Sequence, residues 1–398
     1  MDRKEVIQIE NQHYMPVFTR LPIVLEHGEG CYVYDSEGNK YLDFLAGIAV
    51  NALGYGNKKL AGAISEQAGK LIHCSGLFYT KPQSELVRKL VEITGFDRVF
   101  LTNSGAESNE GAIKLARKYA YKNYENKFKV ISTHKSFHGR TLTTLTATGN
   151  PKYHEGYAPL PPGFVHVEYG DIAALAEVMS DEVCAVLLEP IQGEGGVNVP
   201  PDDYLANVRK LCDKYNSLLI FDEIQTGIGR TGKWFAYEHS GIKPDIMSLA
   251  KGIGGGYPIG AFVATEQVAQ AFSPGDHGST FGGNALGCAA ANATLGVIEK
   301  ENLLNNVNKM SSYFIEKLNA LKEKYPALVE DVRGQGLLLG MELKKGGKEI
   351  VDACLEKGFI LNCTAVNVLR IVPPLIVGKA EIDFAVNILD EVMALNKG

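Results

Sequence analysis

Five apolar runs, each closed by a polar residue or a small-residue turn, mark the middle of the chain. They lie in "DRVFLTNSGAE", "FKVISTHKSFHG", "VCAVLLEPIQGEGG", "NSLLIFDEIQTG" and "DIMSLAKGIGGG". Segments of helical period stand between them, among them "AESNEGAIKLARKYAYK" and "DDYLANVRKLCDKYN". In the first, Ala112, Ile113, Leu115, Ala116 and Tyr119 fall close to one stripe, as on an amphipathic helix. Apolar strands alternating with helices predict an α/β fold whose mostly parallel central sheet is covered on both faces. The alternation fills about residues 50–290. Residues 20–45 read instead as short strands and turns, and 330–375 as strands and helices of a smaller unit. The expected organisation is a large domain over 51–290, with a smaller α/β domain made by both chain ends, 1–50 and 291–398. No internal repeat or low-complexity linker interrupts it.

A chain of 398 residues is too long for one small core, which agrees with a large domain and a lesser one. Hydrophobic residues at 45% and charged residues at 22% are ordinary for a soluble protein. The formal charge of −6 argues against nucleic-acid or membrane-surface partners, which call for basic patches. The opening "MDRKEVIQIENQHYMP" reads as neither a signal peptide nor a membrane helix. Seven cysteines without a C-x-x-C pair read as reduced core residues of a cytoplasmic protein. The nine histidines show no metal-binding spacing, so no metal is expected.

In parallel sheets, ligands bind beyond the carboxyl ends of the strands. Asp222 follows the run Leu218–Phe221, Glu189 follows Ala185–Leu188, and Lys251 follows Ile246–Ala250. Ser104, Gly105 and Ala106 follow Val99–Leu101 and open a helix. Each has a plain structural alternative: a helix cap, a solvated acidic turn, a surface lysine. Convergence on one sheet edge favours chemistry instead. Backbone N–H groups at a helix start hold phosphate. A carboxylate at the end of a buried strand needs a cationic partner. A lysine flanked by apolar residues and glycines becomes nucleophilic through desolvation. The stretch "AKGIGGGYPIG" is not a Walker A loop, because the lysine precedes the glycines, and it lacks the dinucleotide spacing G-x-G-x-x-G. A phosphate cradle, a buried acid and a desolvated lysine together suit pyridoxal phosphate.

The chain closely resembles the class III (ornithine-type) pyridoxal-phosphate aminotransferases of fold type I, from about Arg20 to Leu375. The motifs that carry the resemblance are "TNSGAESNEGAIKLARKY", "SFHGRTLTTLTATG", "EPIQGEGGV", "FDEIQTGIGRTGKWFAYEHSGIKPDIMSLAKGIGGGYPIGAF", "HGSTFGGN" and "LRIVPPL". The resemblance implies that Lys251 is the Schiff-base lysine and the base that moves the substrate proton. It implies that Asp222 pairs with the pyridine nitrogen, Gln225 bonds the ring hydroxyl and Phe137 lies against the ring. Gly105 and Ala106, with Ser104 nearby, would hold the phosphate. Thr280 would reach the phosphate of a partner subunit's cofactor, with Ser279 beside the substrate, which implies a homodimer. His138 is assigned only a structural place.

The same resemblance implies the substrate readers. Arg370 would take the α-carboxylate of 2-oxoglutarate or glutamate, and Arg140 the other substrate carboxylate. Glu194 would act as a switch, pairing with Arg370 while the amino donor is bound. Within the family, "NSGAESNEGAIKLARKY" and "RLPIVLEHGEG" are most similar to the branch whose donor is N2-acetylornithine. Ornithine, succinylornithine, N-succinyl-diaminopimelate and 4-aminobutyrate stand as alternative donors. The chain departs from the family pattern at "GYGNKK" (54–59), at Gly76 and at Ala285. A non-catalytic binder on this fold would not need Lys251 with Asp222, and a racemase or aminomutase would not need the Glu194–Arg370 switch.

Overall fold

The computed structural model describes residues 1–395. Its centre is a seven-stranded sheet in the order Arg98–Thr102, Gly260–Ala264, Ile246–Leu249, Leu218–Asp222, Val183–Leu188, Lys129–Thr133, Phe164–Val167. Only Gly260–Ala264 runs against its neighbours, pairing antiparallel with both. The remaining pairings are parallel. The five strands read from the sequence are present. Gly260–Ala264 and Phe164–Val167 complete the sheet and were not anticipated.

Val183–Leu188 and Leu218–Asp222 are buried along their whole length, as continuous apolar runs in a two-sided sheet should be. The helix Gly105–Asn123 lies across the sheet and buries the predicted stripe of Ala112, Ile113, Leu115, Ala116 and Tyr119. Gly111 sits mid-helix at some cost in propensity because the contact demands it. A Cβ there would meet Phe262 Cε1 at 2.2 Å.

The chain ends build two further sheets. Leu25–Glu29, Tyr32–Asp35 and Lys40–Asp43 form a meander, and Phe359–Ile360 joins its last strand in parallel. Val329–Gln335, Leu338–Leu343, Val368–Ile371 and Asn362–Thr364 form a second, antiparallel sheet. One apolar cluster runs from Phe44 and Leu53 through Leu249 and Ile253 to Phe314, Leu369 and Val392. The terminal sheets are therefore packed onto the central one.

No helix among the described residues is long and apolar enough to cross a membrane. The seven cysteines are all unpaired, five of them buried. No cluster suited to a metal ion occurs among the described residues.

Candidate active site

The four strand ends singled out in the sequence meet around one cavity of about 660 Å³. Its wall includes Ser104, Gly105 and Ala106, Phe137 and Arg140, Glu189 and Glu194, Asp222 and Gln225, and Lys251. Phe18 and Tyr257 also line it and were not anticipated.

Lys251 leaves the strand Ile246–Leu249 through Ala250 and enters a short 3-10 turn, Lys251–Gly254. Its own φ is +45°, a left-handed backbone in a residue with a side chain. Such a conformation costs of order 1–3 kcal/mol and persists only where its surroundings impose it. Burial, and then the charge of Arg370, pull the Lys251 amine down to about 8; Asp222, Glu189 and Glu194 oppose the shift only in part. The amine is thus neutral far more often near neutral pH than an exposed lysine's.

Asp222 is buried, and both of its oxygens are hydrogen-bonded. Its Oδ2 accepts from Asn109 Nδ2 at 2.7 Å and lies 2.8 Å from His138 Nδ1. Its Oδ1 accepts from the Ile224 amide at 3.1 Å, which leaves that oxygen room for one more donor. His138 is held in turn by Ser132 Oγ at 3.1 Å, and Asn109 by Ser248 Oγ at 2.6 Å. His138 therefore does more than pack: it orients the acid. Asn109 escaped the sequence reading altogether, although a polar residue on the buried stripe of a helix was the available signal. The neighbouring Glu223 is consumed by structure, accepting from Thr226 Oγ1 and from the Ala236 and Tyr237 amides.

Ser104 is a true cap, its Oγ accepting from the Glu107 amide at 3.2 Å. The cap and anion-site readings are compatible, because the first N–H groups of a helix have no intrahelical acceptor. Gly105 must be small, since a Cβ there would meet Ile224 Cδ1 at 2.8 Å.

Glu189 ties two loops together. Its carboxylate accepts from the Phe137 amide at 3.0 Å and the Gly193 amide at 3.2 Å, and burial raises its pKa. Next to Gly193, Glu194 reaches Arg370, with Oε2 and Nη1 2.7 Å apart. Arg370 lies on Val368–Ile371 and is fully buried. Its Nε donates to Asn362 Oδ1 at 3.3 Å, and Gln225 Oε1 stands 3.5 Å from Nη1. Its Nη2 is buried without an acceptor. Leaving such a donor unpaired costs about 1–3 kcal/mol, which a carboxylate ligand would remove.

Arg140 forms no ion pair among the described residues; its guanidinium carbon lies 3.9 Å from the centre of the Tyr153 ring. Ser279 and Thr280 are not on the cavity wall of this chain. Ser279 Oγ accepts from Asn103 Nδ2 at 3.1 Å and from the Gly282 amide at 3.0 Å, while Thr280 is exposed. Of the departures, Asn57 in 54–59 caps the helix Lys58–Ala68 and Ala285 opens the helix Ala285–Lys300. Gly76 lies in an exposed segment.

The cavity fits pyridoxal phosphate on its own terms: open N–H groups for an anion, a buried carboxylate with a lone pair to spare, and a desolvated amine. Comparison with known proteins agrees. Residues 14–393 match the aminotransferase class-III family. An acetylornithine aminotransferase of Methanocaldococcus jannaschii is 53% identical over 393 residues, covering 98% of each chain. A crystal structure of acetylornithine aminotransferase from Elizabethkingia anophelis superposes with a TM-score of 0.88 at 37% identity, covering 99% of this chain and 100% of that one. An ornithine aminotransferase of Toxoplasma gondii, described with partial occupancy of pyridoxal phosphate at its active site, gives a TM-score of 0.95 at 34% identity, over 99% of this chain and 94% of the other. The chain belongs to the class-III aminotransferases, enzymes that depend on pyridoxal phosphate.

Proposed function

We propose that the protein transfers the distal amino group of N2-acetyl-L-ornithine to 2-oxoglutarate, giving N-acetyl-L-glutamate 5-semialdehyde and L-glutamate, a step of arginine biosynthesis. The observation that carries this reading is the Glu194–Arg370 pair at 2.7 Å beside the Lys251 amine. A donor that reacts through a distal amine must not have its α-carboxylate captured by Arg370. The acceptor, reacting at its α-carbon, must. Glu194 meets both needs by occupying Arg370 in the first half-reaction and releasing it in the second.

When bound, pyridoxal phosphate supplies an aldehyde that takes the substrate amine covalently and a ring that draws electrons from the breaking C–H bond. The N–H groups of Gly105 and Ala106 would hold its phosphate, Asp222 its ring nitrogen and Gln225 its ring hydroxyl, with Phe137 beside the ring. Lys251, its amine pulled down to about 8 by burial, would take the proton from the substrate carbon that bears the amine and hold it for return. Arg140 takes the distal carboxylate of the acceptor and the carboxylate of the donor. The two half-reactions share one site, so the kinetics are ping-pong.

The proposal includes a homodimer in the cytoplasm, with the chain divided at 1–50, 51–290 and 291–398. Support for the dimer comes from an exposed apolar face. Leu77 and Tyr79 are 84% and 99% exposed, and Phe281, next to Thr280, packs its ring 5.1 Å from that of His73. A second copy covering this face would carry Thr280 to the partner's phosphate and Ser279 toward its substrate.

Donors added singly to the purified enzyme test the reading through loss of the cofactor's aldehyde-form absorbance. Acetylornithine should convert the enzyme fastest. Equal conversion by ornithine, N-succinyl-diaminopimelate or 4-aminobutyrate would refute the assignment of the donor. Glu194→Ala should raise the preference for α-amines over acetylornithine by about tenfold, equivalent to roughly 1.4 kcal/mol; an unchanged preference would remove the switch.

A further inference from the structure

We infer that Tyr153 positions Arg140, holding its guanidinium by the ring face so that the N–H edges stay free for a substrate carboxylate. The inference rests on the reading of Arg140 as a carboxylate receptor and adds how the receptor is built.

An arginine that awaits a carboxylate has a difficulty. If another carboxylate holds it in place, its donors are already spent; if nothing holds it, a long flexible side chain must be ordered at each binding event. Arg140 is held without a carboxylate. Its guanidinium carbon lies 3.9 Å from the Tyr153 ring centre and 5.5 Å from that of Phe137. The two rings meet edge to face, 6.2 Å apart at 87°. They form a shelf for a planar cation whose five N–H groups make no hydrogen bond among the described residues.

The shelf is itself anchored. Arg140 precedes the helix Leu142–Ala147, and Tyr153 ends the short turn Pro151–Tyr153 after it. Asn150 Oδ1 accepts from the Lys152 amide at 3.2 Å, and the Tyr153 amide donates to the Asn150 carbonyl at 3.0 Å. His154 Nε2 lies 2.8 Å from the Leu145 carbonyl and 2.9 Å from that of Thr148, tying the turn back to the helix. Tyr153 also shares with Glu194 the wall of a second cavity of about 530 Å³. Glu194 and Arg140 both line the main cavity, yet Glu194 pairs with Arg370. A ring that retains Arg140 also keeps it from competing for Glu194.

The test uses the holoenzyme and four variants: Tyr153→Leu, Tyr153→Phe, Arg140→Met and the double variant Tyr153→Leu/Arg140→Met. Tyr153→Met, which fills space without an aromatic face, stands in should Tyr153→Leu not fold. Calorimetry gives the Kd of glutarate, an unreactive dicarboxylate. Steady-state kinetics compares acetylornithine with N-acetyl-1,4-diaminobutane, which lacks its carboxylate. Tyr153→Leu should raise the glutarate Kd and the acetylornithine KM about tenfold, with kcat changing less. The ratio should be close to one for the diamine, and Tyr153→Phe should restore binding. The double variant should bind glutarate no more weakly than Arg140→Met, because the ring acts only through the guanidinium. If Arg140→Met weakens glutarate but Tyr153→Leu does not, or if the two losses multiply, the positioning role is overturned. Should Arg140→Met leave glutarate binding unchanged, the receptor reading itself fails and the inference with it.

Discussion

Lys251→Ala should lose transamination by at least about a thousandfold, the usual scale for removing a positioned proton-transfer group. The imidazole and two of the carboxylates on the cavity wall are already engaged. His138 Nδ1 is engaged with Asp222, Glu189 with two backbone amides, and Glu194 with Arg370. The variant should still fold, since alanine relieves both a desolvated amine and part of the side-chain crowding at a left-handed residue. Single-turnover measurements with acetylornithine check the rate, and near-normal turnover would end the proposed mechanism. The amine also predicts a pH dependence that needs no turnover. Burial places it near 8 rather than 10.5, so its neutral fraction grows as pH rises through about 8. Competitive labelling of the cofactor-free protein with acetic anhydride should show Lys251 reaching half-maximal reactivity there, two units or so below the surface lysines. A titration at the surface value would remove the electrostatic basis for its role.

Asp222→Asn should cost about 150- to 5,000-fold in kcat while leaving the fold intact. The carboxylate is the anionic partner assigned to the ring nitrogen, and breaking a buried charge pair costs about 3–5 kcal/mol. That range corresponds to the stated loss in rate. Asparagine keeps the volume, and its amide oxygen in the place of Oδ2 can accept from both Asn109 Nδ2 and His138 Nδ1, while its amide nitrogen would face the Ile224 N–H in the place of Oδ1. Asp222→Ala strips the acceptor from both donors and should lower Tm as well, since each orphaned buried donor costs about 1–3 kcal/mol. Comparing kcat with thermal unfolding across the pair separates the charge from the scaffold. Equal kcat values for wild type and Asp222→Asn would deny the acid any electronic part.

Much of this arrangement was legible because the chemistry sits where hydropathy changes. Lys251, Asp222 and Glu189 are polar residues that end apolar runs, Ser104–Ala106 is a small-residue helix start after another, and the structure brings them to one cavity. Hydropathy reports which residues are buried; it does not report strand direction. Gly260–Ala264 is as apolar as its neighbours yet runs opposite to them, and nothing in "GAFVA" distinguishes the two cases. Nor does periodicity say which groups from distant elements will arrive together. Asn109 meets Asp222 across 113 residues of sequence, and Tyr153 meets Arg140 around a short helix. The resemblance to a family supplied Ser279 and Thr280, which stand off the cavity of a single chain. Their proposed work depends on a surface that only a second copy provides.

Chain order has a consequence for biogenesis. Lys251 and Asp222 come from the middle of the sequence, but Arg370 comes from near its end. The first terminal sheet waits equally long, since Lys40–Asp43 gains its parallel partner only when Phe359–Ile360 has been made, more than 300 residues later. At ribosomal rates that interval is of order tens of seconds, during which long-range pairing cannot begin. A nascent or truncated polypeptide can carry Lys251, Asp222 and Arg140, yet it lacks Arg370, the guanidinium proposed to tell acceptor from donor. On that proposal, discrimination between the two substrates is the last property the growing chain acquires.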